Sequence, residues 1–147
     1  MELRVLRPQI DPAELRPSTA GSAACDLRAC IPEALELAPG ATAEVPTGVA
    51  VHIADPNLCG ILAPRSGLGA RSGVVLANLV GVIDSDYQGE IKATLWNRGD
   101  QTVRIEPRER VCQLLIVAVH RPAFAVVDEF SQATGRGEGG FGSTGRS

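Results

Sequence analysis

The sequence predicts an all-β fold: an antiparallel, jelly-roll-like distorted β-barrel with one short helix. Three observations predict it. Sixteen Gly and ten Pro punctuate 147 residues, and turn signals recur about every ten residues, the spacing of short antiparallel strands. No 3.6-residue periodicity persists beyond a few turns, so no long helix is expected. Apolar residues make up 44% but aromatics only 3%, so the core must be built from Val, Leu, Ile and Ala. A chain of this length is expected to form one domain that buries roughly two thirds of its unfolded surface.

The elements follow in order. Residues 2–7 alternate, Leu3 and Val5 against Arg4, and give a first strand. Pro8, Pro12 and Pro17 break any long element across residues 8–20. Residues 25–28 place Asp26 and Arg28 two apart, on one face of a strand. Glu36 to Gly40 is a turn, because Pro39 pre-sets φ and Gly40 accepts a positive one. Residues 42–53 give two short strands around Pro46-Thr47-Gly48. Asp55-Pro56-Asn57 turns the chain, and residues 58–63 form a short strand ending at Pro64. Residues 65–71 predict a turn or two of helix with Ser66 near its start. The runs 73–80 and 91–96 read as the arms of a β-hairpin with Asp84 near its bend. Asn97 to Asp100 turns again. Residues 102–105 and 110–119 are strands, and the second is apolar on both faces after Gln113. It is therefore expected to be buried on both sides, inside the domain or against another subunit. Residues 126–130 give a last strand. Ser131 to Ser147 holds six of the sixteen glycines, which makes ordering entropically costly. The expected division is a barrel over 1–130 and a mobile glycine-rich segment over 131–147.

Composition excludes several function classes. A net charge of −3 supplies no attraction to duplex nucleic acid or anionic lipid. No apolar run approaches the ~20 residues needed to span a membrane. The N-terminus lacks the apolar core of a signal peptide. Cys25, Cys30, Cys59 and Cys112 show no C-x-x-C pairing, and His52 and His120 are far apart. A zinc site is not expected, and reduced, buried thiols in a cytoplasmic protein are.

Several stretches carry polar groups suited to a phosphorylated ligand. Arg136, Phe141, Ser143 and Thr144 stand among glycines. A guanidinium grips phosphate oxygens bidentately, hydroxyls donate to them, and a ring face stacks on a base. The bland alternative is a solubilising tail. The tail is not a Walker loop, since it lacks the Gly-Lys-Ser/Thr ending. Arg65, Ser66 and Gly67 form a second candidate anion site, or an ordinary capped turn. Asp26 reads either as a partner of Arg28 or as a carboxylate meeting metal-bound water. Gln113 is a polar residue leading into an apolar strand. It satisfies a backbone group or reaches a ligand. Asp84 and Asp86, at i and i+2, suggest metal binding or a general base, or turn-forming side chains.

Five stretches complete a pattern in order along the chain. They are Gly21-Ser-Ala-Ala-Cys-Asp-Leu-Arg-Ala29, Pro64-Arg-Ser-Gly-Leu-Gly69, Asn78-Leu-Val-Gly-Val-Ile-Asp-Ser-Asp-Tyr-Gln-Gly89, Glu109-Arg-Val-Cys-Gln113 and Arg136-Gly-Glu-Gly-Gly-Phe-Gly-Ser-Thr-Gly145. In these the chain resembles the homotrimeric dUTP diphosphatases (dUTPases) over nearly its whole length. The resemblance implies hydrolysis of dUTP to dUMP and pyrophosphate with Mg²⁺, in a homotrimer whose three sites each draw on three chains. It implies that Asp84 is the general base for the attacking water. Asn78 and main-chain groups would hold uracil, with Val82, Ile83 and Lys92 in the wall. Tyr87 would pack beneath the deoxyribose and exclude a 2′-hydroxyl. Arg65, Ser66, Gly67 and Gln113 would bind phosphates, and Arg136, Ser143 and Thr144 would clamp the γ end. Phe141 would stack on uracil as the tail closes over the site. Mg²⁺ would ride on the phosphates and waters with Asp26 in its outer shell, and the cysteines would be spectators. Two departures are visible: Cys25 stands where the family usually carries a bulkier residue, and Arg71 adds a charge near the phosphate region.

Two rivals share the scaffold. A dCTP deaminase would lack the glycine-rich tail with its Phe141. A non-catalytic nucleotide sensor would have no need of Asp84, Tyr87 and Arg136 together.

Overall fold

The protein is described here by a computed structural model, in which residues 1–140 are described. Ten strands and one short helix follow in order: β1 (Glu2–Val5), β2 (Cys25–Arg28), β3 (Leu35–Leu37), β4 (Thr42–His52), β5 (Leu58–Pro64), α1 (Ser66–Ser72), β6 (Val74–Leu76), β7 (Gly81–Ile83), β8 (Glu90–Asn97), β9 (Val103–Ile105) and β10 (Arg110–Ala118). A single 3₁₀ turn, Pro12–Glu14, is capped by Asp11, whose side chain accepts from the Ala13 N–H.

Two four-stranded sheets, ordered β1-β4-β8-β6 and β2-β10-β5-β7, face each other, and β3 pairs with β9 at one end. Every pairing is antiparallel. β8 shows why the pattern selects this fold. Ile91, Ala93, Leu95 and Asn97 point inward, while Lys92 and Thr94 face water. The core they join is aliphatic, with Leu27, Leu37, Val45, Val49, Val74, Leu76, Ile105 and Val111 nearly fully buried. Each such side chain contributes about 1.5–3 kcal/mol by leaving water. Asn97 is buried without penalty: its amide donates to Leu37 O and Gln101 O at 2.8 Å, and Oδ1 accepts from Gly99 N at 2.9 Å.

The structure corrects several sequence expectations. Residues 42–52 form one strand, bent by a register shift between Pro46 and Ala50, rather than two. The turn expected at 36–40 starts later, because Leu35–Leu37 pairs with β9. The hairpin around Asp84 is not a simple one. β6 and β8 do pair, Val75 opposite Trp96, but the chain between them leaves that sheet. Its middle, β7, pairs with β5 in the other sheet, Ile83 opposite Gly60. Residues 126–130 form no strand. Phe124, Val126, Val127 and Phe130 are exposed there, and among the described residues the segment pairs with none of the edge strands β1, β6, β2 and β7. Within one chain, residues 113–117 of β10 are half-buried, so of the two expected covers, the domain interior or another subunit, the first is incomplete.

Candidate active site

The strand β5 and its turn into α1 build one half of the site. Pro64 ends β5, and Arg65 stands at the helix entrance in extended conformation. Ser66 is the first helical residue and not the cap, and no side chain caps the helix. Gly67 lies in the first turn. The Arg71 guanidinium folds over it, 2.9 Å from where a Cβ would stand. β10 runs beside β5 with Gln113 opposite Ala63, and the Gln113 amide donates to Pro64 O at 3.1 Å. β2 flanks β10 on its other side, with Asp26 opposite Gln113. Three strands thus deliver Asp26, Arg65, Ser66, Arg110 and Gln113 to one polar pocket of ≈ 350 Å³.

Asp26 is the hub of that pocket. Its Oδ1 accepts from Arg65 Nε at 2.7 Å and its Oδ2 from Arg110 at 3.1 Å. The expected partner, Arg28, is engaged elsewhere: it pairs with Glu14 at 3.1 Å and donates to Arg108 O. Arg110 is the residue that the sequence reading passed over. Its signal lay in the same short stretch as Gln113, three residues earlier on β10. Only the register across β2 and β10 shows that both reach one pocket.

Below the pocket, Cys112 is fully buried. Burial, reinforced by the Asp26 charge, pushes its thiol from the usual 9.0 up to about 12. The folded state therefore keeps a proton that the unfolded chain releases above pH 9. This contribution to stability is complete below pH 9. It is lost by about 1.4 kcal/mol per pH unit between pH 9 and 12. Urea unfolding at pH 8, 9 and 10 should show this decline, and Cys112→Ala should make it shallower.

The other half of the site lies on the segment between β6 and β8. Asp84 follows β7 directly and is exposed. Among the described residues its carboxylate makes no ion pair or side-chain hydrogen bond. Its backbone is nonetheless fixed. β7 pairs with β5 up to Ile83, Ala54 N–H donates to Ser85 O at 2.9 Å, and Tyr87 N–H donates to Asp84 O. Asp86 is also exposed. Tyr87 Oη donates to Glu90 O at 3.0 Å. Asn78 and Val82 are exposed, and Ile83 packs against the core. Lys92 stands apart, on the outer face of β8, where Glu44 holds its ammonium at 2.7 Å and raises its pKa.

Arg136 lies in the C-terminal segment and donates from Nε to Gly139 O at 2.9 Å. Phe141, Ser143 and Thr144 fall outside the described residues. The structure thus gathers Asp26, Arg65, Ser66 and Gln113, and gathers Asp84 and Tyr87 on another segment. It does not join the two groups within one chain. The register gives the separation: Ile83 faces Gly60, so Asp84 sits beside the Cys59 end of β5. Arg65 is six residues further along, roughly 20 Å at the usual strand rise.

Comparison with known proteins is consistent over the whole chain. The family model described as dUTPase matches residues 13–145. A protein of Citrobacter koseri named deoxyuridine 5'-triphosphate nucleotidohydrolase is 53% identical over 99% of this chain and 97% of its own. One of the same name from Klebsiella pneumoniae is likewise 53% identical, over the same shares. Among solved structures, the dUTPase of Staphylococcus bacteriophage 80alpha with dUpNHpp superposes with a TM-score of 0.88 at 26% identity. That alignment covers 99% of this chain and 98% of the phage chain. With a family model that spans all five motifs, this chain belongs to the dUTPase family.

Proposed function

We infer that this chain is a dUTP diphosphatase, which hydrolyses dUTP to dUMP and pyrophosphate. The observation that carries this reading is the convergence of Asp26, Arg65, Ser66, Arg110 and Gln113 on one pocket, in a chain of this family. Two guanidiniums, a hydroxyl and an amide suit an anionic chain of phosphates. Asp84, unpaired among the described residues, supplies the other requirement, a carboxylate on a backbone fixed by hydrogen bonds.

Asp84 accepts a proton from a water as that oxygen bonds to the α-phosphorus. The bond from the α-phosphorus to the bridging oxygen breaks, and pyrophosphate leaves with the electron pair. Asn78 and main-chain groups of residues 82–83 read the uracil. Tyr87 lies under the deoxyribose, where a 2′-hydroxyl would be both crowded and unpaired. Arg65, Ser66, Gly67 and Gln113 hold the phosphates. Arg136, Ser143 and Thr144 hold the γ end, and Phe141 covers the base as residues 131–147 close over the site. Lys92 belongs to the uracil wall only if it releases Glu44.

The residues fit Mg²⁺ in the outer-shell manner. Among the described residues no three His, Cys, Asp or Glu side chains gather to hold an ion directly. Asp26 offers one carboxylate at the pocket rim, already shared by two guanidiniums. When bound, the ion neutralises phosphate charge and fixes the conformation of the triphosphate.

The same geometry supports a homotrimer. The base and the phosphate grips lie at opposite ends of β5, so one chain alone does not hold a whole site. A head-to-tail interface unites the two ends and closes into a ring. Supporting it are the exposed Phe124, Val126, Val127 and Phe130 and an apolar groove of ≈ 230 Å³ that includes Leu3, Leu15, Leu27, Leu114 and Ile116. Both are surfaces that a neighbouring chain would cover.

The test is a panel of dUTP, dCTP, dTTP and UTP, following pyrophosphate and ammonia with and without Mg²⁺. Pyrophosphate is expected from dUTP alone, at a rate that falls when Mg²⁺ is removed. Ammonia from dCTP would favour the deaminase, and nucleotide binding with no pyrophosphate would favour a sensor.

A further inference from the structure

We propose that Glu90 is a positioning residue for sugar selection. Its carboxylate ties the start of β8 to the bulge in β4, and so fixes the carbonyl on which Tyr87 rests. The inference rests on the reading of Tyr87 as the floor under the deoxyribose.

The Tyr87 side chain is 42% exposed, and among the described residues its hydroxyl makes one hydrogen bond, to Glu90 O. Its ring lies across Gly89, where a Cβ would stand 2.6 Å from Tyr87 Cζ. The ring is therefore held only as firmly as the backbone of residues 89–90. A hydroxyl resting on a mobile carbonyl would set no fixed floor.

The Glu90 side chain supplies the anchor. Its Oε1 accepts from Gly48 N–H at 2.8 Å. That amide is available because β4 bulges there: Pro46 faces Lys92 and Ala50 faces Glu90. The bulge itself is rigid. Gly48 has φ +73, and a Cβ there would meet Cys30 Sγ at 2.8 Å and Ile10 Cγ1 at 2.9 Å. Next to it, the Thr47 hydroxyl donates to Ile91 O at 2.6 Å in a buried setting. Glu90 thus connects an exposed ring to a packed, glycine-dependent corner of the core. Without its carboxylate, residues 87–90 keep the Asp84–Tyr87 turn on one side and, on the other, the single ladder pair Ala50–Glu90 and the Thr47 bond to Ile91. The ring then has a looser rest, and a floor that gives way admits an extra oxygen.

The experiment measures kcat/KM for dUTP and UTP in four variants. Glu90→Ala should lower the dUTP/UTP ratio about tenfold, with KM for dUTP rising more than kcat falls. Glu90→Gln keeps a side-chain carbonyl to accept from Gly48 and should stay within about twofold of the parent ratio. Should Glu90→Ala not fold, Glu90→Asp takes its place with the same expectation, being one methylene too short. Val103→Ala, in the distant β3–β9 pair, should lower stability without moving the ratio. An equal loss there, or in Glu90→Gln, overturns the proposal. Tyr87→Ala separates the two levels. If it leaves the ratio unchanged, the reading of Tyr87 fails. If it collapses the ratio while Glu90→Ala keeps the parent value, only the role of Glu90 is lost.

Discussion

Asp84→Asn is expected to bind dUTP with near-parental affinity and to turn it over about a thousandfold more slowly, within the range a positioned general base contributes. The substitution keeps the shape of the side chain and its capacity to accept a hydrogen bond from water. It removes the capacity to take the proton. Nothing else in the fold should notice. The carboxylate is exposed and has no ion-pair or side-chain hydrogen-bond partner among the described residues, so no partner is left unpaired. A surface change of this kind typically moves stability by no more than about 0.5 kcal/mol. The backbone bonds that orient position 84, from Ala54 to Ser85 and from Tyr87 to Asp84, do not involve the side chain. Single-turnover pyrophosphate release gives the rate, and calorimetry with a non-hydrolysable dUTP analogue gives the affinity. Turnover within tenfold of the parent would remove Asp84 from the role of base. A loss of binding equal to the loss of rate would make it a substrate ligand instead. Asp86→Asn, also exposed and two residues away, is the control, and its rate should stay within about threefold.

Local chemistry was legible in the sequence wherever the deciding contacts are local. The alternation of β8, the Pro-Gly turn at residues 39–40 and the short helix after Pro64 all follow from neighbours a few residues apart. The failures share a different cause. β7 is three residues long, and which sheet it joins depends on Gly60, more than twenty residues upstream. Residues 126–130 have the composition of a strand but pair with no strand among the described residues, and composition does not report partners. Asp26 was read beside Arg28, two residues away, whereas its guanidiniums come from Arg65 and Arg110, 39 and 84 residues along. The site shows the same division. Motifs named its residues, Arg110 among them, but gave Arg110 no role. The distance between Asp84 and Arg65 required the register of β5 with β7, which no single stretch encodes.

That distance leads to the second large effect. Asp84→Asn and Arg65→Ala chains, each nearly inactive alone, should recover about a quarter of parental activity when refolded together in equal amounts, if sites form head-to-tail between chains. Under that arrangement a site takes its base from one chain and its first phosphate grip from the next. In randomly mixed trimers of the proposed kind, the base is intact half the time and the grip is intact half the time, independently. The C-terminal segment is parental in both chains and does not alter the fraction. If instead one chain supplied both groups, every site in the mixture would carry one defect, and the activity would remain the average of the two parents. The fold makes the first outcome the expected one. β5 is a single straight ladder from Leu58 to Pro64, paired along its length with β10. It cannot fold back to bring its ends together without breaking seven register pairs. Substrate would have to stretch along the sheet to meet both ends of one strand. A neighbouring chain needs only to present its Arg65 end beside the Asp84 of the first, and rotation about a threefold axis then completes all three sites at once.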